Sequence, residues 1–240
     1  MQLTDPRANK QLFSAFLQDE VNLIDRTLSL TIGAKLQHND FTGFEGQPSL
    51  RLLWTPDPRH TLWAAVSRAV RTPARIEDSA ALGVMTVPPN GPGNPTNIPV
   101  PLSTLGNPRF RSEQLLAYEL GYRFQPGPDF YADVALFYNR YRDIRSFDAN
   151  RPLIQLRPTI TAYLPYQNDL QAHSFGGELL LNWKPLDRWS LELAYSYLDL
   201  RLEGRPGVYS SEEGNHPQQQ VSLRSSFDLA ANLQFDLWAR

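Results

Sequence analysis

Apolar and polar residues alternate along this chain with period two, the spacing that gives a β-strand one apolar face. In LSLTIGAKLQ (28–37), Leu28, Leu30, Ile32, Ala34 and Leu36 fall on one side, and Ser29, Thr31, Gly33, Lys35 and Gln37 on the other. Further on, Ala132, Val134, Leu136 and Tyr138 oppose Asp133, Ala135, Phe137 and Asn139. Phe175, Gly177, Leu179, Leu181 and Trp183 oppose Glu178 and Asn182, and Leu191, Leu193, Tyr195 and Tyr197 oppose Ser190, Glu192, Ala194 and Ser196. The pattern predicts about ten strands, near 13–23, 28–38, 48–55, 60–70, 113–125, 130–140, 174–183, 189–200, 218–227 and 233–240. These are long. Strands of soluble proteins average ~5–6 residues, whereas a tilted crossing of a bilayer core needs ~9–11.

The connections sharpen this reading. IDRT (24–27), PDPR (56–59), PGPD (126–129), KPLDR (184–188) and DLAAN (228–232) are compact and rich in the residues of tight turns. The alternate connections, about 39–47, 71–112, 141–173 and 201–217, are longer, and short and long alternate without exception. Outer-membrane barrels have this asymmetry, with short periplasmic turns and long extracellular loops. WAAVSRAV (63–70) then reads as a strand rising to the outer rim. Pro73 ends its pairing, because proline cannot donate to a ladder. The segment around VPPNGPGNPTNIPVP is an external loop without a long helix. Trp54, Trp183 and Trp189 beside the short turns, and Tyr138 and Tyr141 near the other strand end, are placed as two aromatic girdles.

Composition narrows the classes. A net charge of -2 from 23 basic and 25 acidic residues argues against a nucleic-acid partner. The chain has no cysteine, which removes disulfides, thiolate metal sites and cysteine nucleophiles. No run of eighteen apolar residues exists, and MQLTDPRANK lacks the basic start and apolar stretch of a signal peptide. His38, His60, His173 and His216 are far apart in sequence, and Glu212 and Glu213 form a loop pair that reads as solvated. No phosphate loop, serine elbow or cofactor motif is present.

WAAVSRAVRTP followed by a loop, then SEQLLAYELGYRF, DVALFYNRYRDI, GGELLLNWKP and LELAYSYLDLRL, resembles the β-barrel of TonB-dependent outer-membrane receptors. NHPQQQVSLRSSFDL (215–229) resembles a late barrel strand of that family. The resemblance implies an all-β, antiparallel up-and-down transmembrane barrel of 22 strands, of which about ten lie in this chain. It implies an N-terminal plug domain inside the barrel, with no plug or TonB-box-like segment recognisable here. At this chain's spacing, 22 strands need about 530 residues, so the chain is expected to be an interior or C-terminal portion. The implied function is uptake of a scarce nutrient, such as a ferric siderophore or a cobalamin-like chelate, driven by the TonB complex. No cofactor is implied. The expected partners are the plug, the TonB complex, a small-molecule or metal-chelate ligand, and outer-membrane lipid and lipopolysaccharide.

Candidate residues fall in two groups. Glu119, Glu178 and Glu192 sit on the polar side of otherwise apolar strands; with Arg51 and Arg123 they are placed on the lumen wall, which in the family contacts the plug. Arg71 and Arg75 leave the strand before the longest loop, and Arg109 and Arg111 return from it. Guanidinium forks match carboxylate and phosphate, so this set suits an anionic ligand, lipopolysaccharide phosphate or plain solvation. Phe147, Tyr163 and Tyr166 in the next loop are candidates for stacking on a ligand. The face of Arg68 can be phased either way.

Three rivals stand beside this reading. A passive porin or small closed barrel would lack the plug. An outer-membrane enzyme barrel would need a nucleophile set at the rim, which Ser67, His60 and Asp57 do not supply from their places at or beside the periplasmic end or mid-strand. A soluble carbohydrate-binding β-sandwich predicts shorter strands and no consistent loop asymmetry.

Overall fold

A computed structural model describes residues 2–3, 9–156, 160–210 and 217–240. In chain order its elements are β1 (Gln2–Leu3), β2 (Leu12–Ile24), β3 (Leu28–Asn39), β4 (Gly43–Asp57), β5 (His60–Arg71), α1 (Arg75–Ser79), β6 (Ala80–Val87), β7 (Val100–Leu105) and β8 (Glu113–Gly127). They continue with β9 (Phe130–Asp148), β10 (Leu153–Gln155), β11 (Thr161–Pro165), β12 (Gln167–Leu186), β13 (Trp189–Glu203), β14 (Val208–Tyr209), β15 (Gln219–Ala230) and β16 (Leu233–Ala239). The ten long strands form one antiparallel meander in the order β16-β15-β13-β12-β9-β8-β5-β4-β3-β2, with β14 added beside β9. β1, β6, β7, β11 and β10 form a second, small sheet.

The ladder sorts side chains by chemistry. One row runs Leu28, Trp54, Leu62, Tyr122, Val134, Leu179, Tyr195 and Val221, each residue directly opposite the next. Successive residues of a strand point to opposite faces, so this row and its second neighbours define one side of the sheet. That side carries Ile32, Leu36, Leu50, Leu120, Leu136 and Phe175, all well exposed. The other side carries Thr31, Arg51, Glu119, Asn139, Ser174, Glu178, Glu192 and Arg224. The buried apolar residues, among them Val100, Phe110, Ala162, Tyr166 and Leu170, belong to the small sheet and to the loops and strand ends beside it. A sheet with its apolar face outward and no second sheet packed on it among the described residues is covered by hydrocarbon, not by a protein core.

The same row measures the tilt. It meets β3 at Leu28, β5 at Leu62, β9 at Val134 and β13 at Tyr195, while these strands begin at Leu28, His60, Phe130 and Trp189. Each hairpin therefore drops two residues relative to the one before, or one residue per strand. A shift of ~3.4 Å along the chain per ~4.8 Å step across it tilts the strands by roughly 35°, the tilt of a closing barrel. Edge strands β2 and β16 do not pair with each other.

Two glycines let the polar face close. Trp63 lies directly opposite Gly121, and its indole covers the place a Cβ would take, 2.1 Å away. Phe137 lies opposite Gly176, where a Cβ would stand 2.1 Å from the Tyr197 carbonyl oxygen and 2.6 Å from the Phe137 ring. Aromatic rings laid over strand glycines in this way fill a gap and pin the register.

Several boundaries differ from the sequence reading. The first outer connection is not a long loop over 39–47: β4 starts at Gly43, leaving 40–42 as a tight turn. Asn39 Oδ1 accepts the Phe41 and Thr42 N–H groups at 2.9 Å each, and Gly43 takes a positive φ of 75°. Short and long connections thus do not alternate without exception. Strands β9 and β12 run to Asp148 and from Gln167, far into the segment 141–173. The segment 71–112 is not bare loop, since it holds α1, β6 and β7. Strand β5 does end at Arg71, two residues before Pro73. Tyr138 faces outward as expected, but Tyr141 lies opposite Leu115 and Ala172, on the polar side. The pair Glu212–Glu213 and His216 lie outside the described residues.

Candidate functional site: outer mouth and inner wall

The small sheet sits at the loop end of the wall. Four of its five strands come from the two longest outer connections, β6 and β7 from 72–112 and β10 and β11 from 149–166, and β1 pairs with β6 at its edge. β7 and β11 pair in parallel, joining the two loops into one cap. Tyr166 donates its N–H to Leu105 O at 2.9 Å and accepts Asn107 Nδ2 on its own carbonyl at 2.9 Å. Its ring packs against Phe147 at 4.9 Å and Phe110 at 6.2 Å, and its hydroxyl accepts from Thr104.

An ion cluster ties the cap to the wall. Arg71 donates twice to Glu113, at 2.7 and 2.8 Å, and twice to Glu77, at 2.8 and 3.0 Å. Arg145 Nη1 donates to Glu77 at 3.2 Å, and the Arg145 N–H donates to Glu113 at 2.8 Å. Glu77, 1% exposed, also accepts the Ala74 N–H at 2.8 Å, the half of a capping box that a glutamate at the third helical position supplies. Burial works to raise the Glu77 pKa, but the Arg71 and Ala74 hydrogen bonds and the charges of Arg71 and Arg145 outweigh it. The carboxyl is held below its ordinary range. The Glu77 carbonyl in turn accepts the Asn107 N–H at 2.8 Å, so the two feet of one loop meet at this residue.

The predicted loop residues are only partly brought together. Arg71 is at the centre of the ion cluster. Arg75 is half-buried in α1. Arg111 pairs with Asp143, which also accepts Gln114 Nε2, and Asn168 brackets the Arg111 backbone through its N–H and carbonyl. Arg109 is exposed, its guanidinium without a partner among the described residues. Tyr166 is 5% exposed and Phe147 stacks on it, so both serve the cap interior, while Tyr163 in β11 is half-exposed. The sequence reading missed Glu77; its signal was a glutamate four residues after Pro73, at the start of a short helix.

The wall residues share one face. Arg51 lies opposite Ala65, and Ala65 opposite Glu119. Glu178 lies between Ala135 and Ser196, and Glu192 between Asn182 and Arg224. Arg123 donates to Asp133 at 2.8 Å and lies over the Tyr131 ring. The register also settles Arg68: it stands opposite Leu116, on the outward side, and turns into the gap where the β4–β5 ladder stops at Ser49 and Ser67. There it reaches the Gly46 carbonyl, Gln114 and Glu45.

A sheet apolar outside, charged inside, tilted by one residue per strand and capped by its own loops defines a membrane β-barrel wall of the receptor type. The model of the family described as TonB dependent receptor-like, beta-barrel, matches residues 2–239, and the chain belongs to that family. It is a family of outer-membrane receptors and transporters, not of enzymes. Over 201 residues the chain is 25% identical to an iron-regulated outer membrane virulence protein of Vibrio cholerae, covering 82% of this chain and 28% of that protein. Its fold is similar to the siderophore receptor PirA from Acinetobacter baumannii, with TM-score 0.71 and 17% identity over 95% of this chain and 33% of that one. It is also similar to the FrpB iron transporter from Neisseria meningitidis, with TM-score 0.66 and 15% identity over 95% of this chain and 32% of that one. The chain thus spans about a third of the length of these relatives.

Proposed function

We propose that this chain is part of the barrel wall of a receptor that takes up an iron chelate of the siderophore type, energised through a plug domain and TonB. The observation that carries the reading is the cap: two outer loops woven into one sheet and locked to the wall by Arg71, Glu77, Glu113 and Arg145. A fixed outer sheet holds a large ligand above the lumen, which a passive channel does not need. The names of the iron-regulated relative and of the siderophore receptors agree with this cargo. Ligand contact falls to the exposed Arg109 and the half-exposed Tyr163, with Arg71, Arg75, Arg111, Phe147 and Tyr166 positioning the surface that carries them. The inner face, with Arg51, Glu119, Arg123, Glu178 and Glu192, is turned to the plug.

The test is uptake of labelled ferric siderophores and of cobalamin by cells with and without the native protein containing this chain, in backgrounds with and without TonB. Saturable, TonB-dependent entry of an iron chelate is expected. Entry that is unsaturable and independent of TonB would overturn the reading in favour of a passive channel.

A further inference from the structure

The outward face changes character at its loop end. Arg140 and Arg142 of β9 continue the side defined by Val134, Leu136 and Tyr138, and so point away from the lumen. Both are exposed, and neither guanidinium has a hydrogen-bond or ion-pair partner among the described residues. His173 stands directly opposite Arg140, and Arg201 directly opposite His173. With strands ~4.8 Å apart, these three lie within roughly 10 Å of one another along the surface. The acids on and beside this patch are already engaged: Asp199 holds Arg201 at 2.9 Å, Glu203 holds His173 at 3.2 Å, and Asp143, next to Arg142, holds Arg111 and accepts from Gln114. Arg68, in the same row, is turned toward Gly46, Gln114 and Glu45. The uncompensated charge is therefore that of Arg140 and Arg142.

Height fixes what this charge meets. Arg140 is ten residues beyond Phe130, the first residue of β9. At ~3.4 Å per residue and roughly 35° of tilt, it stands roughly 28 Å above the turn side, and Arg142 a further ~5–6 Å. The lipid-facing apolar band of such barrels is ~25 Å tall. The two arginines thus emerge just above the hydrocarbon, among lipid headgroups. Tyr138 and Phe175, 41% and 40% exposed, lie immediately below them, where acyl chains begin.

We propose that Arg140 and Arg142, flanked by His173 and Arg201, bind the phosphate of a phosphorylated outer-leaflet glycolipid whose acyl chains lie on Tyr138 and Phe175. Two guanidinium forks without carboxylate partners match phosphate oxygens in bidentate fashion. The inference rests on the outer-membrane placement of the sheet and is independent of the cargo.

The experiment uses the native protein containing this chain, purified in a non-ionic detergent. Its Tm is followed on addition of bisphosphorylated lipid A, of dephosphorylated lipid A, and of phosphatidylglycerol. Lipid A is expected to raise the Tm, and the other two to do so far less. In R140Q/R142Q the lipid-free Tm should be unchanged and the lipid A response should move to roughly 30-fold higher concentration. R140K/R142K, which keeps the charge but not the fork, should fall between the two. An equal response to dephosphorylated lipid A would mean that acyl chains alone bind. An equal response to phosphatidylglycerol would mean general attraction to anionic surfaces. An unchanged lipid A response in R140Q/R142Q would place the phosphate elsewhere. Each of these overturns the proposal. Chelate binding by the double variant should match the parent protein, which separates this site from the uptake reading.

Discussion

Replacing Glu77 by glutamine removes one charge at the point where the cap meets the wall, with almost no change in volume. Four hydrogen bonds converge on this carboxylate, two from Arg71, one from Arg145 and one from the Ala74 N–H. A glutamine keeps a single acceptor oxygen and turns an NH2 group toward two guanidinium groups. Breaking one partner of a buried ion pair costs ~3–5 kcal/mol. Arg71 is 44% exposed and keeps Glu113, so solvent and the remaining pair reduce the loss to about 2 kcal/mol. That corresponds to about 30-fold more frequent opening of the cap. Hydrogen exchange reads it directly: the Gly106 N–H is bonded to Ala80 O at 2.7 Å and the Asn107 N–H to Glu77 O at 2.8 Å. Protection of both amides should fall in E77Q, while amides of the β5–β8 ladder stay unchanged. The pH dependence carries a sign. A carboxyl depressed in the folded state stabilises docking above its unfolded value of ~4.3, and this is lost as pH falls through the folded value. Protection of Gly106 should therefore drop under acid conditions in the parent protein and be flat in E77Q. Protection within twofold of the parent, or an acid-induced drop that persists in E77Q, would refute the hub role.

Two further predictions concern the wall. Gly176→Ala should cost about 3 kcal/mol or more, because the new Cβ meets the Tyr197 backbone oxygen at 2.1 Å, whereas Gly177→Ala meets the movable tip of Leu136 at 2.8 Å and should be milder; heat-modifiable gel mobility will rank them. Val134→Arg puts a charge in hydrocarbon between Tyr122 and Leu179 and should cost ~2–4 kcal/mol in denaturant refolding into vesicles, while Ala135→Arg, one residue on and facing the lumen beside Glu178, should be near neutral.

The wall was legible in the sequence because its rule is local. Alternation assigns each side chain to a face without knowledge of its partners, and the strands from LSLTIGAKLQ to WSLELAYSYLDL follow that rule. The cap was not legible. Strands β10 and β11 are three and five residues long, and β7 pairs with β11 across some sixty residues of chain, so period and length offer nothing to read. The turn at 40–42 was missed because GFEGQPSL carries glycine and proline, the residues of a loop. Up to Pro48, pairing with β3 alone holds it as a strand, because the β4–β5 ladder begins only at Ser49. The sequence marks Arg71 as a loop-foot arginine suited to an anionic ligand, but a charge pattern cannot show that Glu77 and Glu113 already occupy its fork.

The one-residue step from strand to strand makes the wall a two-dimensional lattice rolled about an axis. Inserting one residue within a strand turns every later side chain of that strand to the wrong face. Inserting two preserves the faces but creates a dislocation: all hairpins on one side of it sit two residues lower, and the ring no longer closes on itself. Such a defect cannot be relaxed locally, because each strand between β2 and β16 is hydrogen-bonded on both sides. Length variation is then permitted only outside the ten-strand ladder, as in the connections 72–112, 149–166 and 204–218. The lattice thereby separates a part of the gene where insertions are forbidden from a part where they are free, and new ligand surfaces can arise only in the second.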